Sequence, residues 1–544
     1  LYQQGLAFHR QGLLGQAKRA YEQAVQINPR HAPALHTLGV MASQANEPEV
    51  GLSLISKALA MEPNNPVFLT NASTALNSLK RYAQSLDFCE RALRAKPDHF
   101  SALRNHGVAL IGLLRYEEAV TSFDQALQIN PNFYELYILR SSALREIKAF
   151  SEAIATADRL LDLRPGFFEA HISKAQTHTA ASRYKQACDA FDDALAINPD
   201  HALTWFQRGA AKEYAKHFLE AVQSYTKAFA LEPQLPYTIG SLLHAKMLCC
   251  DWDNLHNLYL EVKDQLLLKR TAILPFGYQA ICDDEASLQS CATLAALEKF
   301  PAPASPYVHP SWPPHTKIRV GYLCGEFREQ ATSILMTEIW ERHDKTQFEI
   351  YAFDNGFSDQ SPRRARIEQA FDHLIDISRM QDLDVAELIH GHQIDILINL
   401  NGFFGLERNK VFALRPSPVQ VNYLGFPGTM GAPYMDYLIA DETVIPVSSQ
   451  QHYTEKVIYV PGCYQPNDAQ RRISKRTFTR AELGLPEQGF VFCCFNNNYK
   501  ITPSTFDVWM RILTQVQGSV FWLLQDTPEA AANLRREAEQ RGVD

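Results

Sequence analysis

Small and bulky apolar residues recur four and three positions apart through the first part of the chain, and the pattern repeats every 34 residues. Each copy opens on a small residue: Ala17, Gly51, Ser85, Ala119, Ala153, Ala187 or Ala221. Four positions on, a bulky residue is usual, as at Tyr21, Ile55, Phe123, Phe191 and Tyr225. Three further on stands Ala24, Ala58, Ala92, Ala126, Leu160, Ala194 or Ala228. Such spacing keeps the three residues on one face of a helix. The small residues let paired helices approach closely, and the bulky one fills the gap between copies. Each copy then closes on a proline: Pro29, Pro63, Pro97, Pro131, Pro165, Pro199 and Pro233. Proline lacks an N–H and clashes with the preceding turn, so it ends the second helix of the copy.

A 34-residue period of this kind is that of tetratricopeptide (TPR) repeats, two antiparallel helices per unit. Residues 1–240 are therefore predicted to be an all-α TPR superhelix, a protein-binding scaffold with the chemistry lying beyond it. Residues 241–316 stay helical to about 300 without the period, as capping helices that cover the last apolar face. They end in a proline-rich linker from Pro301 to Pro314, read as extended and semi-rigid.

The texture then changes to α/β. Residues 317–480 carry buried-strand patterns at Lys317–Leu323, Phe348–Phe353, Ile394–Leu400, Val419–Leu424, Tyr437–Ala440 and Val457–Val460, with helical patterns at Ser361–Phe371 and Val385–His390. Alternation of this kind predicts a parallel sheet with helices on both faces. Ligands of such sheets bind beyond the carboxyl ends of the strands, which points to the loops 324–333, 401–405 and 425–432. A second α/β unit opens in residues 481–544, with strands Phe490–Phe495 and Ser519–Leu524 around a helix from Pro503 to Gln515. It is only the start of a second lobe.

A net charge of −8 argues against nucleic acid as a partner, and no apolar run reaches the length needed to span a membrane. Ten scattered cysteines without a C-x-x-C pair fit a reduced, cytoplasmic protein with thiols as core filler. Two D-x-D triplets, Asp251–Asp253 and Asp382–Asp384, fall in helical or loop texture rather than at a strand end, so no metal role is assigned to them.

Three segments carry a resemblance: RVGYLCGEF (319–327), VFALRPSPVQVNYLGFPGTMGAPYMDY (411–437) and CCFNNNYKITPSTFDVW with SVFWLL (493–524). With the repeats in front, they resemble the catalytic region of the TPR-containing protein O-GlcNAc transferases, bacterial type. The resemblance implies a metal-independent GT-B glycosyltransferase with two Rossmann-like lobes. It would move N-acetylglucosamine from the co-substrate UDP-GlcNAc to Ser or Thr of proteins, with inversion and without a cofactor. Lys500 matches the family's lysine for the leaving diphosphate, where a preorganised positive charge is needed; by itself it also reads as a surface lysine capping the next helix. Asn496 and Asn497 match positions beside the nucleotide, and Leu524 one that packs on the uracil side. The loop Gly425, Phe426, Pro427, Gly428, Thr429 matches the donor-sugar loop, or else is an ordinary tight turn. Gln330 stands where the family commonly has a histidine; it can hydrogen-bond but cannot act as a base near neutral pH. Asp395 is another position near the family's cleft, or equally a structural hydrogen-bond acceptor. In the repeats, the position 26 before each proline matches the family's asparagine ladder, which grips an acceptor peptide; here only Asn71 and Asn105 are asparagines.

Rival readings remain at this point. Plant-type protein O-fucosyltransferases share the repeats and the FNNxxKI segment but use GDP-fucose, and a related N-glycosyltransferase modifies asparagine. From another class comes a TPR scaffold or pseudoenzyme, favoured by Gln330 and the short second lobe, opposed by Lys500 and the intact 425–429 loop. Both chain ends fall inside helical patterns, which reads as a piece of a longer protein. The family's diphosphate-binding histidine-threonine-threonine segment has no counterpart up to Asp544, so residues 1–544 alone are expected to be inactive.

Overall fold

The structure, a computed structural model, describes residues 1–309 and 316–543. The expected linker residues Pro310–Pro314 lie outside the described residues. The chain divides into two compact units, Leu1–Asp200 and His201–Asp544. The repeat helices run on to Leu231, and the last pair falls in the second unit.

The first unit is six helix pairs: α1 (Tyr2–Arg10) with α2 (Leu14–Ile27), α3 (Ala32–Gln44) with α4 (Pro48–Leu59), α5 (Pro66–Ser78) with α6 (Tyr82–Ala95), α7 (Phe100–Gly112) with α8 (Tyr116–Ile129), α9 (Tyr134–Glu146) with α10 (Phe150–Leu163), and α11 (Phe168–Ala180) with α12 (Tyr184–Ile197). Every second helix stops just short of its periodic proline. The small and bulky positions of the repeat are all buried. Glycines explain how the large rings fit. A Cβ on Gly5 would stand 2.5 Å from the Tyr21 ring, and one on Gly107 would overlap the Phe123 ring. The turn inside each repeat also carries the 34-residue period. Gly12, Asn46, Lys80, Leu114, Lys148, Ser182 and Lys216 all have positive φ, and only the first is the residue that adopts it without cost.

The second unit begins with the last repeat, α13 (Ala202–Tyr214) and α14 (Phe218–Leu231), and four aperiodic helices: α15 (Thr238–Leu248), α16 (Leu255–Leu267), α17 (Pro275–Gln279) and α18 (Glu285–Lys299). The described part of the linker is not a free spacer. Tyr307 donates its N–H to Leu414 O at 3.0 Å and stacks on His390 at 4.6 Å.

The α/β region comes next: β1 (Ile318–Cys324), α19 (Ala331–Glu341), β2 (Phe348–Asp354), α20 (Pro362–Ala370), β3 (His373–Asp376), α21 (Asp382–Gly391), β4 (Ile396–Asn399), α22 (Asn409–Ala413), β5 (Val419–Asn422), β6 (Tyr437–Ala440) and β7 (Lys456–Tyr459). The seven strands form one sheet in the order β3-β2-β1-β4-β5-β6-β7, and every pairing is parallel. Side chains alternate across it. Val320 and Tyr322 of β1 pack with Met336, Trp340 and Ile367 on one face, while Leu323 packs with Val385, Ile389 and Phe412 on the other. Strand order reverses between β1 and β4, the crevice where open α/β sheets take their ligands. β3 is not visible as a strand in the sequence, because four residues with a His and an Asp at the ends show no apolar run. A separate parallel pair, β8 (Val491–Cys494) and β9 (Val520–Leu523), is joined through α23 (Pro503–Gln515), with α24 (Pro528–Gln540) after it.

Candidate active site

A buried amide network shapes the carboxyl ends of β1, β4 and β5. Asn399 Oδ1 accepts the N–H groups of Asn401 and Gly402 at 3.1 and 2.9 Å. Its Nδ2 donates to Asn409 Oδ1 at 2.9 Å, and Asn409 donates to Gly402 O at 2.8 Å. Asn401 bridges to the β1 loop: its Oδ1 accepts from Gly325 N at 3.0 Å and its Nδ2 donates to Glu326 Oε2 at 2.6 Å. Asn422 donates to Phe426 O at 2.9 Å. These side chains are all buried, and in a low-dielectric interior each bond matters because an unmade one is costly. The network fixes three loops against one another. Gly425 is required where the β5 loop crosses the end of β4, since a Cβ there would overlap Leu400 O.

The loop beyond Gly425 is held from behind. The Glu455 carboxylate accepts from Thr429 Oγ1 at 2.7 Å and from Met430 N at 2.6 Å. Burial raises the carboxyl pKa, partly opposed by the Thr429 hydrogen bond. Neither Glu455 nor the asparagine network is visible as a site in the sequence, because hydrogen bonds such as Glu455 to Thr429 and Asn401 to Gly325 join residues far apart in the chain.

A cavity of about 490 Å³ opens in front of these loops, lined among others by Gly425, Pro427, Thr332, Phe276, Tyr499 and Lys500. Lys500 closes the single turn Asn498–Lys500 after β8. It is exposed, its Nζ lies 5.8 Å from the Tyr499 ring, and it makes no salt bridge among the described residues. The first turn of α19 also borders the cavity through Ala331 and Thr332. An unneutralised lysine and a helix N-terminus facing one space favour an anion there.

The other expected residues separate. Gln330 is half-buried beside the cavity as the N-cap of α19, with its Oε1 accepting from Ala331 N at 2.5 Å. Asn496 and Asn497 are exposed on the loop before Lys500. Gly428 and Thr429 line a narrow neighbouring cleft with Gln279 and His452. Leu524 lies elsewhere, in a hollow of about 690 Å³ beside Phe506, Trp522 and Leu534. Asp395 is not brought to the cavity: it precedes β4, at the amino end of the sheet, where its Oδ2 accepts from Arg319 N at 2.8 Å. It acts there as a structural acceptor, the second of the two roles open to it. In the repeats, Asn105 is buried and donates to Thr70 O, Ser73 Oγ and Thr74 Oγ1 at 3.1, 2.9 and 2.7 Å. Its N–H groups are thus taken up by the repeat before it. Asn71 Nδ2 lies 2.8 Å from His36 Nε2. Asp251 pairs with Lys246, and Asp382 with Arg408 at 2.5 Å, so each D-x-D triplet has an aspartate in a structural ion pair.

A repeat array ahead of a doubly wound parallel sheet and a second α/β pair defines a class, that of TPR proteins with a GT-B-type region. Residues 292–478 and 467–544 match the model of glycosyl transferase family 41, and residues 1–31, 104–166 and 149–202 match tetratricopeptide models. Residues 292–544 are thus similar to family 41 glycosyltransferases, and the helices ahead of them to tetratricopeptide repeats. It is 32% identical over 326 residues to a probable UDP-N-acetylglucosamine–peptide N-acetylglucosaminyltransferase SEC of Arabidopsis thaliana, covering 56% of this chain and 33% of that protein. It is 25% identical over 340 residues to a Caenorhabditis elegans protein named UDP-N-acetylglucosamine–peptide N-acetylglucosaminyltransferase, covering 42% of this chain and 30% of the other. The chain thus spans about a third of the length of these curated relatives. Its fold is similar to that of a point mutant of Thermobaculum terrenum O-GlcNAc transferase, with a TM-score of 0.52 at 24% identity over 75% of this chain and 72% of that one.

Proposed function

We propose that the protein transfers N-acetylglucosamine from UDP-GlcNAc to Ser or Thr hydroxyls of protein acceptors, with inversion at the anomeric carbon. The observation that carries this reading is the convergence of Lys500 with Gly425 and Pro427 on one cavity at the carboxyl ends of the strands. Departure of the sugar leaves charge on the diphosphate, and a fixed ammonium held in place before the reaction stabilises it without reorganisation. In this reading Lys500 and the α19 N-terminus supply the positive field, so no metal or other cofactor is invoked. The 425–429 loop, pinned by Glu455, would contact the donor sugar through its backbone. The acceptor hydroxyl oxygen then bonds to the anomeric carbon from the face opposite the departing diphosphate as the bond to that diphosphate breaks, its proton passing to water, which inverts the centre. Acceptor proteins are proposed to bind along the repeats. A cytoplasmic location belongs to the same reading and is supported by buried free thiols such as Cys89 and Cys324, since thiols stay reduced in that compartment.

The test offers the native protein UDP-GlcNAc and GDP-fucose side by side with a mixed protein acceptor. Transfer from UDP-GlcNAc, with an inverted linkage by NMR, is expected. Lys500→Ala should cut turnover by about 10²–10³-fold, the usual cost of removing one preorganised charge-stabilising donor, with an unchanged melting curve. Near-normal transfer by that variant would reject Lys500 as the diphosphate partner, and transfer of fucose alone would reject the donor.

A further inference from the structure

The cavity wall that carries Lys500 rests on a chain of contacts from the last repeat. Glu213, in the last turn of α13, accepts from two sides. Tyr225 OH of α14 donates to its Oε2 at 3.1 Å, and His244 Nδ1 of α15 lies 3.2 Å from its Oε1. A carboxylate on Nδ1 fixes both the tautomer and the ring plane of a histidine. The oriented ring faces Tyr499, with centroids 5.3 Å apart and planes tilted by 57°. On another side it meets Gly277 of α17, where a Cβ would lie 3.5 Å from His244 Cδ2. Both partners belong to the cavity wall. Tyr499 lines it directly beside Lys500, and α17 contributes Phe276 and Gln279. The end of α15 adds to the grip, since Cys249 and Cys250 share a core with Tyr499, Ile501 and Phe506.

We propose that Glu213 and His244 are positioning residues for Lys500: the carboxylate sets the imidazole, and the imidazole sets the Tyr499–Lys500 turn against the cavity. Neither touches the reacting atoms. Their reach is through geometry, and a misplacement of about 1 Å at a reacting centre costs up to about 10²-fold in rate. The inference rests on the transferase reading for its kinetic consequence, but not for its structural one.

The test compares Glu213→Ala, Glu213→Gln and His244→Ala in the native protein, reading turnover together with amide hydrogen exchange over residues 496–501. Glu213→Ala and His244→Ala should lower kcat about tenfold with the acceptor KM unchanged. Both should speed exchange over 496–501 and leave β1 to β5 as protected as before. Glu213→Gln should recover most of the lost kcat, because its amide oxygen still accepts from Nδ1–H. A purely structural loss would instead lower active enzyme in proportion, with no gain from Glu213→Gln and no local change in exchange. Unchanged exchange over 496–501 in Glu213→Ala overturns the proposal whatever sugar is moved. A wild type that transfers no sugar sinks the transferase reading, and the exchange experiment then decides the dyad by itself.

Discussion

Glu455 shows what a single side chain contributes to this site. Its carboxylate takes the Thr429 hydroxyl and the Met430 N–H, both buried. Glu455→Ala leaves that N–H without a partner, at a cost of about 1–3 kcal/mol. A lower denaturation midpoint is the expected outcome and, on the proposed function, a raised KM for the sugar nucleotide. A midpoint equal to wild type would remove Glu455 from the account of the loop. His36 gives a pH-dependent counterpart in the repeats. Burial pushes its pKa down to about 4, and its neutral ring accepts from Asn71. The unfolded chain binds a proton near pH 6.5 while the folded chain does not. The stability from the neutral ring is therefore fully present above about pH 6.5 and is lost as pH falls toward 4. His36→Gln keeps an acceptor for Asn71 and does not titrate, so urea midpoints of the variant should fall less between pH 7 and pH 5 than those of wild type.

At the scale of the element, the repeat turns carry a cost that the helices outweigh. Leu114 sits at φ +61° between α7 and α8 and is 46% exposed, so its side chain has little packing to lose. A left-handed non-glycine residue costs roughly 1–2 kcal/mol, and glycine returns about 0.5–1 kcal/mol of that as chain entropy. Leu114→Gly should stabilise the repeats by up to about 1 kcal/mol by chemical denaturation, whereas Gly107→Ala should destabilise them by driving a methyl into Phe123. If both changes shift stability the same way, the turn conformation is not what sets it. The element scale is where the sequence was most legible. Helix Pro503–Gln515 has the bounds that its pattern indicates, because a proline and a threonine cap mark its start.

Across the second unit, the segment between β7 and β8 connects the seven-stranded sheet to the two-stranded one, and Asp468 pins it. Asp468 is buried. It accepts from Arg366 Nη1 at 2.7 Å and Arg363 Nη1 at 3.2 Å on α20. The Arg366 hydrogen bond holds its carboxyl below the usual range. Just beyond it run the exposed residues Arg471, Arg472, Lys475, Arg476 and Arg480, each a tryptic site. Asp468→Asn removes the buried charge that both guanidinium groups face and weakens the anchor, while Arg363 keeps Glu329 and Arg366 keeps Glu341. Tryptic cleavage within 471–480 should be several times faster than in wild type, while cleavage within the repeats stays the same. Equal cleavage rates would show that the segment is anchored elsewhere.

The repeat period, the strand-and-helix alternation and the loops that line the cavity were readable from the sequence, because each depends on spacing along the chain. Proline, glycine and apolar residues act locally there, and a fixed interval survives without knowledge of the partners. What only the tertiary structure decided is which residues share a space. Gly425 and Lys500, 75 positions apart in the chain, meet at one cavity, while Asp395 falls at the opposite end of the same sheet and Asn105 inside the repeat wall. A strand pattern does not reveal which end of a neighbouring strand a side chain reaches, and a helix pattern does not show which polar residue another repeat will bury. Those outcomes arise from parallel pairing and from the need to satisfy every buried polar group, both of which are set by contacts far apart in the chain.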